Sequence, residues 1–159
     1  MNIVDHLYLG SAAHAAQCEL LERLGITALL NVSPNCPNYW PEKFEYETIP
    51  VEDNSTADIK IHFRRAIDFI NDVKSRGGKV LVHCKAGVSR SATLCLAYLI
   101  SCRKMCLNDA YDQVKVTPLI LNLINWRILY GMHNSNAFIF KNKIQTIIIV
   151  LFKLFKIRQ

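Results

Sequence analysis

Apolar positions along the chain fall into short unbroken runs alternating with stretches of helical spacing. Residues 6–9 read as a short apolar strand closed by Gly10. Ser11 is suited to cap a helix over residues 12–24, which carries Leu20, Leu21 and Leu24 and stops at Gly25. Residues 26–32 (Ile-Thr-Ala-Leu-Leu-Asn-Val) have the length and apolar continuity of a buried strand. Pro34, Pro37 and Pro41 mark the loop that follows, and residues 44–51 alternate enough for a further strand. Over residues 59–73, Ile59, Phe63, Ile67, Ile70 and Val73 recur on one helical face. Gly77 and Gly78 end that helix, and residues 79–83 (Lys-Val-Leu-Val-His) predict another buried strand. A small-residue loop at 84–90 leads into a helix over 91–102. Asn108 is suited to cap a last helix, 109–116, which Pro118 ends.

Strands alternating with helices predict a single α/β domain with a central, mostly parallel sheet flanked by helices. A chain of 159 residues can bury a sufficient core, and 51% hydrophobic against 20% charged residues excludes a disordered chain. There is no internal repeat and no linker before residue 116. The formal net charge of +6 invites a nucleic-acid or membrane reading. Its location argues otherwise. Residues 1–115 hold 13 basic and 13 acidic side chains, whereas residues 116–159 hold six basic ones and no acid. The expectation is therefore a neutral domain over 1–115, followed by an atypical basic, apolar tail, disordered or loosely helical. The run at 144–157 is too short to span a bilayer, so weak surface association is the most the tail would support. No nucleic-acid partner is expected.

Six cysteines (18, 36, 84, 95, 102 and 106) have spacings that match no zinc pattern. The first residues, Met-Asn-Ile-Val-Asp, have neither a basic nor an apolar leader segment, so the expectation is thiols in a reducing compartment. Neither metal nor cofactor is expected. Cys95, Cys102 and Cys106 read as apolar helix fillers.

The segment with chemistry in it is strand–loop–helix: residues 79–92, with Cys84 ending the strand and Arg90 opening the helix. Between them Lys85, Ala86, Gly87, Val88 and Ser89 include small residues that can turn successive N–H groups inward. With the positive end of the following helix, these amides make an anion cradle of phosphate size. The same field favours a thiolate, since helix N-termini and cations lower a cysteine pKa from about 8.5 to roughly 3.5–7.5. Arg90 offers a planar fork for two phosphate oxygens, and Ser91 can donate its hydroxyl to the sulfur as it leaves. Alone, a cysteine at a strand end would be a packing residue; His83, Gly87 and Arg90 beside Cys84 favour a nucleophile. His83 reads as an orienter and not as a proton donor. A proton donor for the leaving oxygen must come from elsewhere, and Glu52, Asp53 and Asp58 follow the strand at 44–51.

Residues 83–91, His-Cys-Lys-Ala-Gly-Val-Ser-Arg-Ser, match the His-Cys-x5-Arg-Ser/Thr signature of cysteine-dependent protein phosphatases. Segments 7–14, 25–32, 49–54 and 91–99 resemble the dual-specificity branch, in particular the catalytic domain of MAP kinase phosphatases. The resemblance covers about residues 6–115 and implies the cysteine-phosphatase fold. It assigns Cys84 as nucleophile, Arg90 as phosphate clamp and Asp53, in Val-Glu-Asp, as general acid. It implies hydrolysis of phosphotyrosine and phosphoserine/phosphothreonine through a phosphocysteine, on a phosphorylated protein, with a MAP kinase as the expected substrate. A monomer in nucleus or cytoplasm is expected. Lys85 adds charge at the rim, but Val88 stands where lipid-directed relatives carry a second basic residue. The chain begins at the catalytic domain, so the N-terminal regulatory domain of the larger members is expected to be absent. After residue 115 it departs from the family's Ile-Ser-Pro-Asn turn and final helix, which implies a domain incomplete at its C-terminal end. The alternative reading is a catalytically weak or unstable variant that binds phosphorylated partners without efficient turnover.

Overall fold

The computed structural model describes residues 2–52, 58–86 and 90–115. The expected tail, 116–159, lies outside them. The chain order is β1 (Asn2–Val4), β2 (Leu7–Ser11), α1 (Ala12–Ala15), α2 (Cys18–Leu24), β3 (Ala28–Asn31) and β4 (Glu45–Thr48). A 3-10 turn (Ile59–His62), α3 (Phe63–Ser75), β5 (Val80–Cys84), α4 (Arg90–Cys102) and α5 (Leu107–Lys115) follow. Among the described residues the sheet has the order β1-β2-β5-β3-β4. Only the β1–β2 pairing is antiparallel, so the sheet is mixed and mostly parallel, flanked by helices as expected.

Strand alternation sorts the side chains onto two faces. Leu7, Leu9, Ala28, Leu30, Val80, Val82 and Cys84 join the cluster that holds α3 and α4. Tyr8, Leu29 and Leu81 point the other way, onto Ala15, Leu21, Ile26 and Phe44. β5 lies at the centre, between β2 and β3. Every residue of α4 from Arg90 to Ser101 is buried, because it packs against the sheet, α3 and α5 together. A helix apolar all round belongs in such a position.

Four elements differ from the sequence expectation. The helix expected over 12–24 divides at Ala16 and Gln17. The Ser11 N–H turns onto His14 Nδ1 (3.1 Å), and the Gln17 N–H bonds back to the His14 carbonyl (3.1 Å). That three-residue return closes α1 after one turn, and Gln17 leaves the helical region at φ −95°, ψ 85°. Residues 59–62 wind as a 3-10 turn, because the Asp58 carboxylate accepts the Lys60 N–H (3.3 Å) and tightens the entry to α3. The apolar face then runs as expected through Phe63, Ile67, Ile70 and Val73. α5 starts at Leu107, which puts its cap two residues before Asn108, with the Ala110 N–H bonding to the Cys106 carbonyl (3.0 Å). Cys106 is accordingly an exposed loop residue and not a helix filler. β1, three residues long, carries too short a pattern to read in advance.

Gly25 ends α2 in the left-handed conformation (φ 70°), where a side chain would be strained. Gly78 serves close approach: a Cβ there would lie 2.7 Å from Val73 Cγ1, at the junction that aims β5 toward the site.

Candidate active site

The C-terminal ends of the parallel strands gather the polar side chains. Cys84, the last residue of β5, lies on the α4 face and is 2% exposed. Its Sγ is 3.3 Å from the Ser91 hydroxyl, which α4 presents one residue after its start. Ser91 is wholly buried, so its hydroxyl sits beside the sulfur in a water-poor setting. α4 begins at Arg90 with no acidic residue in its first turn, which leaves its positive end uncompensated toward the Cys84 side. The loop start is braced from the neighbouring strand. Ser11 pairs in register with Cys84, and the Ala12 N–H donates to the Lys85 carbonyl (3.2 Å). Lys85 and Ala86 are exposed at the rim.

Arg90 is only 7% exposed, and its Nη1 donates to the Val51 carbonyl oxygen (2.8 Å). Val51 stands at the mouth of the segment carrying the expected acid, so one guanidinium joins the start of α4 to that segment. The sequence offered no signal for this contact, which spans 39 positions. Asp53, Gly87, Val88 and Ser89 lie outside the described residues. Asp58 caps the 3-10 turn and pairs with Lys60 (3.5 Å), so its carboxylate has a structural task.

His83 faces away from Cys84, on the α1–α2 side of the sheet, and is wholly buried. Burial pushes its pKa down to about 4, with the Cys84 backbone pulling more weakly upward. His83 is therefore neutral near pH 7 and adds no positive charge to the cradle. Cys95 lies within the core, where burial, and then the charge on Cys84, pushes its thiol pKa up. It stays protonated, leaving Cys84 as the thiol that meets the helix terminus. No group of metal-binding side chains occurs among the described residues. A thiol, a hydroxyl and a guanidinium at a helix N-terminus suit anion binding and nucleophilic displacement at phosphorus.

Comparison with known proteins agrees with this chemistry. The family model described as "Dual specificity phosphatase, catalytic domain" matches residues 7–130, past the point where the sequence reading places the departure. Dual specificity protein phosphatase 1 of Homo sapiens is 54% identical over 122 residues, covering 77% of this chain and 33% of the relative. Dual specificity protein phosphatase 4 of Homo sapiens is 54% identical over 122 residues, covering 77% and 31%. The chain thus spans about a third of the length of these curated relatives. Among solved structures, DUSP15 superposes with a TM-score of 0.71 at 32% identity, covering 76% of this chain and 77% of that one. Human DUSP28 superposes with a TM-score of 0.74 at 29% identity, covering 92% and 93%. By family model, sequence identity and fold together, the chain belongs to the dual specificity phosphatase catalytic-domain family.

Proposed function

We propose that the protein is a dual-specificity protein phosphatase that hydrolyses phosphotyrosine and phosphoserine/phosphothreonine, with a phosphorylated MAP kinase as substrate. The observation that carries the reading is the buried Cys84 sulfur, 3.3 Å from the Ser91 hydroxyl at the N-terminus of α4, with Arg90 opening that helix. In the first step Cys84 Sγ, as thiolate, attacks phosphorus and the bond to the substrate oxygen breaks. That oxygen leaves with a proton from Asp53. Arg90 and the amides of residues 85–90 hold the equatorial phosphate oxygens, where charge develops. In the second step water attacks phosphorus and gives its proton to the Asp53 carboxylate. The S–P bond breaks, the Ser91 hydroxyl stabilises the departing thiolate, and inorganic phosphate is released. No metal or cofactor enters. The relatives' names support the protein-phosphatase class; the MAP kinase substrate, the monomeric unit and the nuclear or cytoplasmic setting belong to the proposal.

Turnover of a doubly phosphorylated kinase-loop peptide tests this directly. Cys84→Ser should abolish phosphate release while retaining peptide binding, and Asp53→Ala should slow alkyl more than activated aryl phosphates. Undiminished hydrolysis by Cys84→Ser would overturn the mechanism.

A further inference from the structure

On the sheet face away from Cys84, a thiol, an amine and a carboxylate meet at the surface. Cys18 opens α2 and Glu22 stands four residues on, so both side chains lie on one face of that helix. Lys43 reaches across from the turn before β4, its Nζ 2.7 Å from Glu22 Oε1. The Cys18 thiol hydrogen-bonds with both the Glu22 and the Lys43 side chains. The turn fixes where Lys43 starts: the Trp40 carbonyl accepts the Lys43 and Phe44 N–H groups (3.1 and 3.2 Å), and the Trp40 N–H donates to the Tyr46 hydroxyl (3.2 Å). Cys18, Trp40 and Tyr46 pack at the edge of the cluster built on Tyr8, Leu29 and Leu81, whereas Cys84 belongs to the cluster on the other face. Cys18 is half-buried and Lys43 half-exposed, so a small oxidant has access to a sulfur that already touches an amine.

We propose that Cys18 and Lys43 form a reversible redox cross-link, a lysine sulfenamide made under hydrogen peroxide, which ties α2 to the turn entering β4. In the first step the Cys18 sulfur attacks peroxide, the O–O bond breaks, and the products are Cys18 sulfenic acid and water. In the second, the neutral Lys43 Nζ attacks that sulfur and the S–O bond breaks. The oxygen leaves as a second water, taking one amine hydrogen, and an S–N bond remains. Sulfur is oxidised by two electrons and peroxide is reduced by the same two. Two small thiols reverse the change, restoring thiol and amine and leaving as a disulfide. Proximity favours Lys43 over an external nucleophile. Glu22 first, and then Cys18, hold the Lys43 pKa above its ordinary value, so the ammonium must give a proton to water before it attacks. Conversion of Cys18 to the uncharged sulfenic acid removes the second of those holds. The inference does not depend on the phosphatase reading.

The test is peroxide treatment of the full chain, denaturation without reductant, and proteolysis with mass spectrometry. Peptides holding Cys18 and Lys43 should appear joined, lighter than their sum by two hydrogens, and should separate on adding dithiothreitol. The joined fraction should rise from pH 7 to pH 9 as the amine deprotonates. Lys43→Arg keeps the charge beside Glu22 but offers no comparable nucleophile. In that variant the joined species should vanish, and dimedone labelling of Cys18 sulfenic acid should increase several-fold. Both side chains lie at the surface, so the variant folds as the parent does. An unoxidised Cys18, a Cys18 disulfide with Cys36, or equal dimedone labelling in the parent and Lys43→Arg would each overturn the proposal.

Discussion

Acid should weaken this fold through His83, by an amount that follows from its burial. The folded-state pKa is about 4 against 6.5 for an ordinary histidine, and the side chain is wholly buried. Between those values the unfolded chain binds the proton and the folded chain does not. Stability from this group is therefore complete above pH 6.5 and drains away as pH falls toward 4. At 1.36 kcal/mol per unit the whole gap is worth about 3 kcal/mol, and about 2 kcal/mol is gone by pH 5. For a domain of this size that is a fall in Tm of roughly 8 °C. His6 and His14 are also depressed by burial, so the parent should lose somewhat more. The assay is urea unfolding at pH 7.5 and pH 5.0 for the parent and His83→Gln. The variant should retain about 2 kcal/mol more of its neutral-pH stability at pH 5. Equal losses in the two proteins, or a His83 imidazole titrating near 6.5 by NMR, would refute the reasoning. The result also bears on catalysis, since a neutral His83 leaves the cradle's charge to Arg90 and the start of α4.

Three further outcomes are expected. Arg90→Lys loses the planar fork and the bond to Val51, so kcat/KM for an aryl phosphate should fall about 100- to 1,000-fold. A loss under tenfold would argue against a two-oxygen clamp. Ser91→Ala removes the hydroxyl 3.3 Å from the sulfur, so phosphocysteine breakdown should slow while its formation is little changed. Rapid quench should then find a larger burst and a lower kcat with kcat/KM nearly constant. Gly78→Ala forces a Cβ against Val73 and Thr27 and should cost about 1–3 kcal/mol, read as a lower denaturation midpoint at unchanged slope.

Much of this was legible in the chain because it depends on neighbours in sequence. The run Leu29–Leu30 and the strand before Cys84 are apolar on both faces, which suits only a covered parallel sheet. Cys84, Arg90 and Ser91 fall on one strand–loop–helix connection, so their proximity follows from local geometry. Where a turn competes with a periodic pattern, the pattern misleads. The apolar spacing over residues 12–24 does not reveal that His14 folds back onto Ser11 and breaks the helix. The register of β3 against β5 is likewise hidden, since Asn31 in an apolar run gives no hint of the strand it will face.

The sequence by itself determined the α/β class, the strand that ends in Cys84 and the helix that opens at Arg90, because periodicity and a contiguous motif are local properties. Only the tertiary structure decided what surrounds them. Arg90 on the Val51 carbonyl, the Ala12 N–H on Lys85, and Asn31 beside His83 join residues 39 to 73 positions apart in the chain. Such contacts come from the order in which strands assemble and from the register in which they pair. Hydrophobic burial sets that register one strand against another, and no single segment carries it.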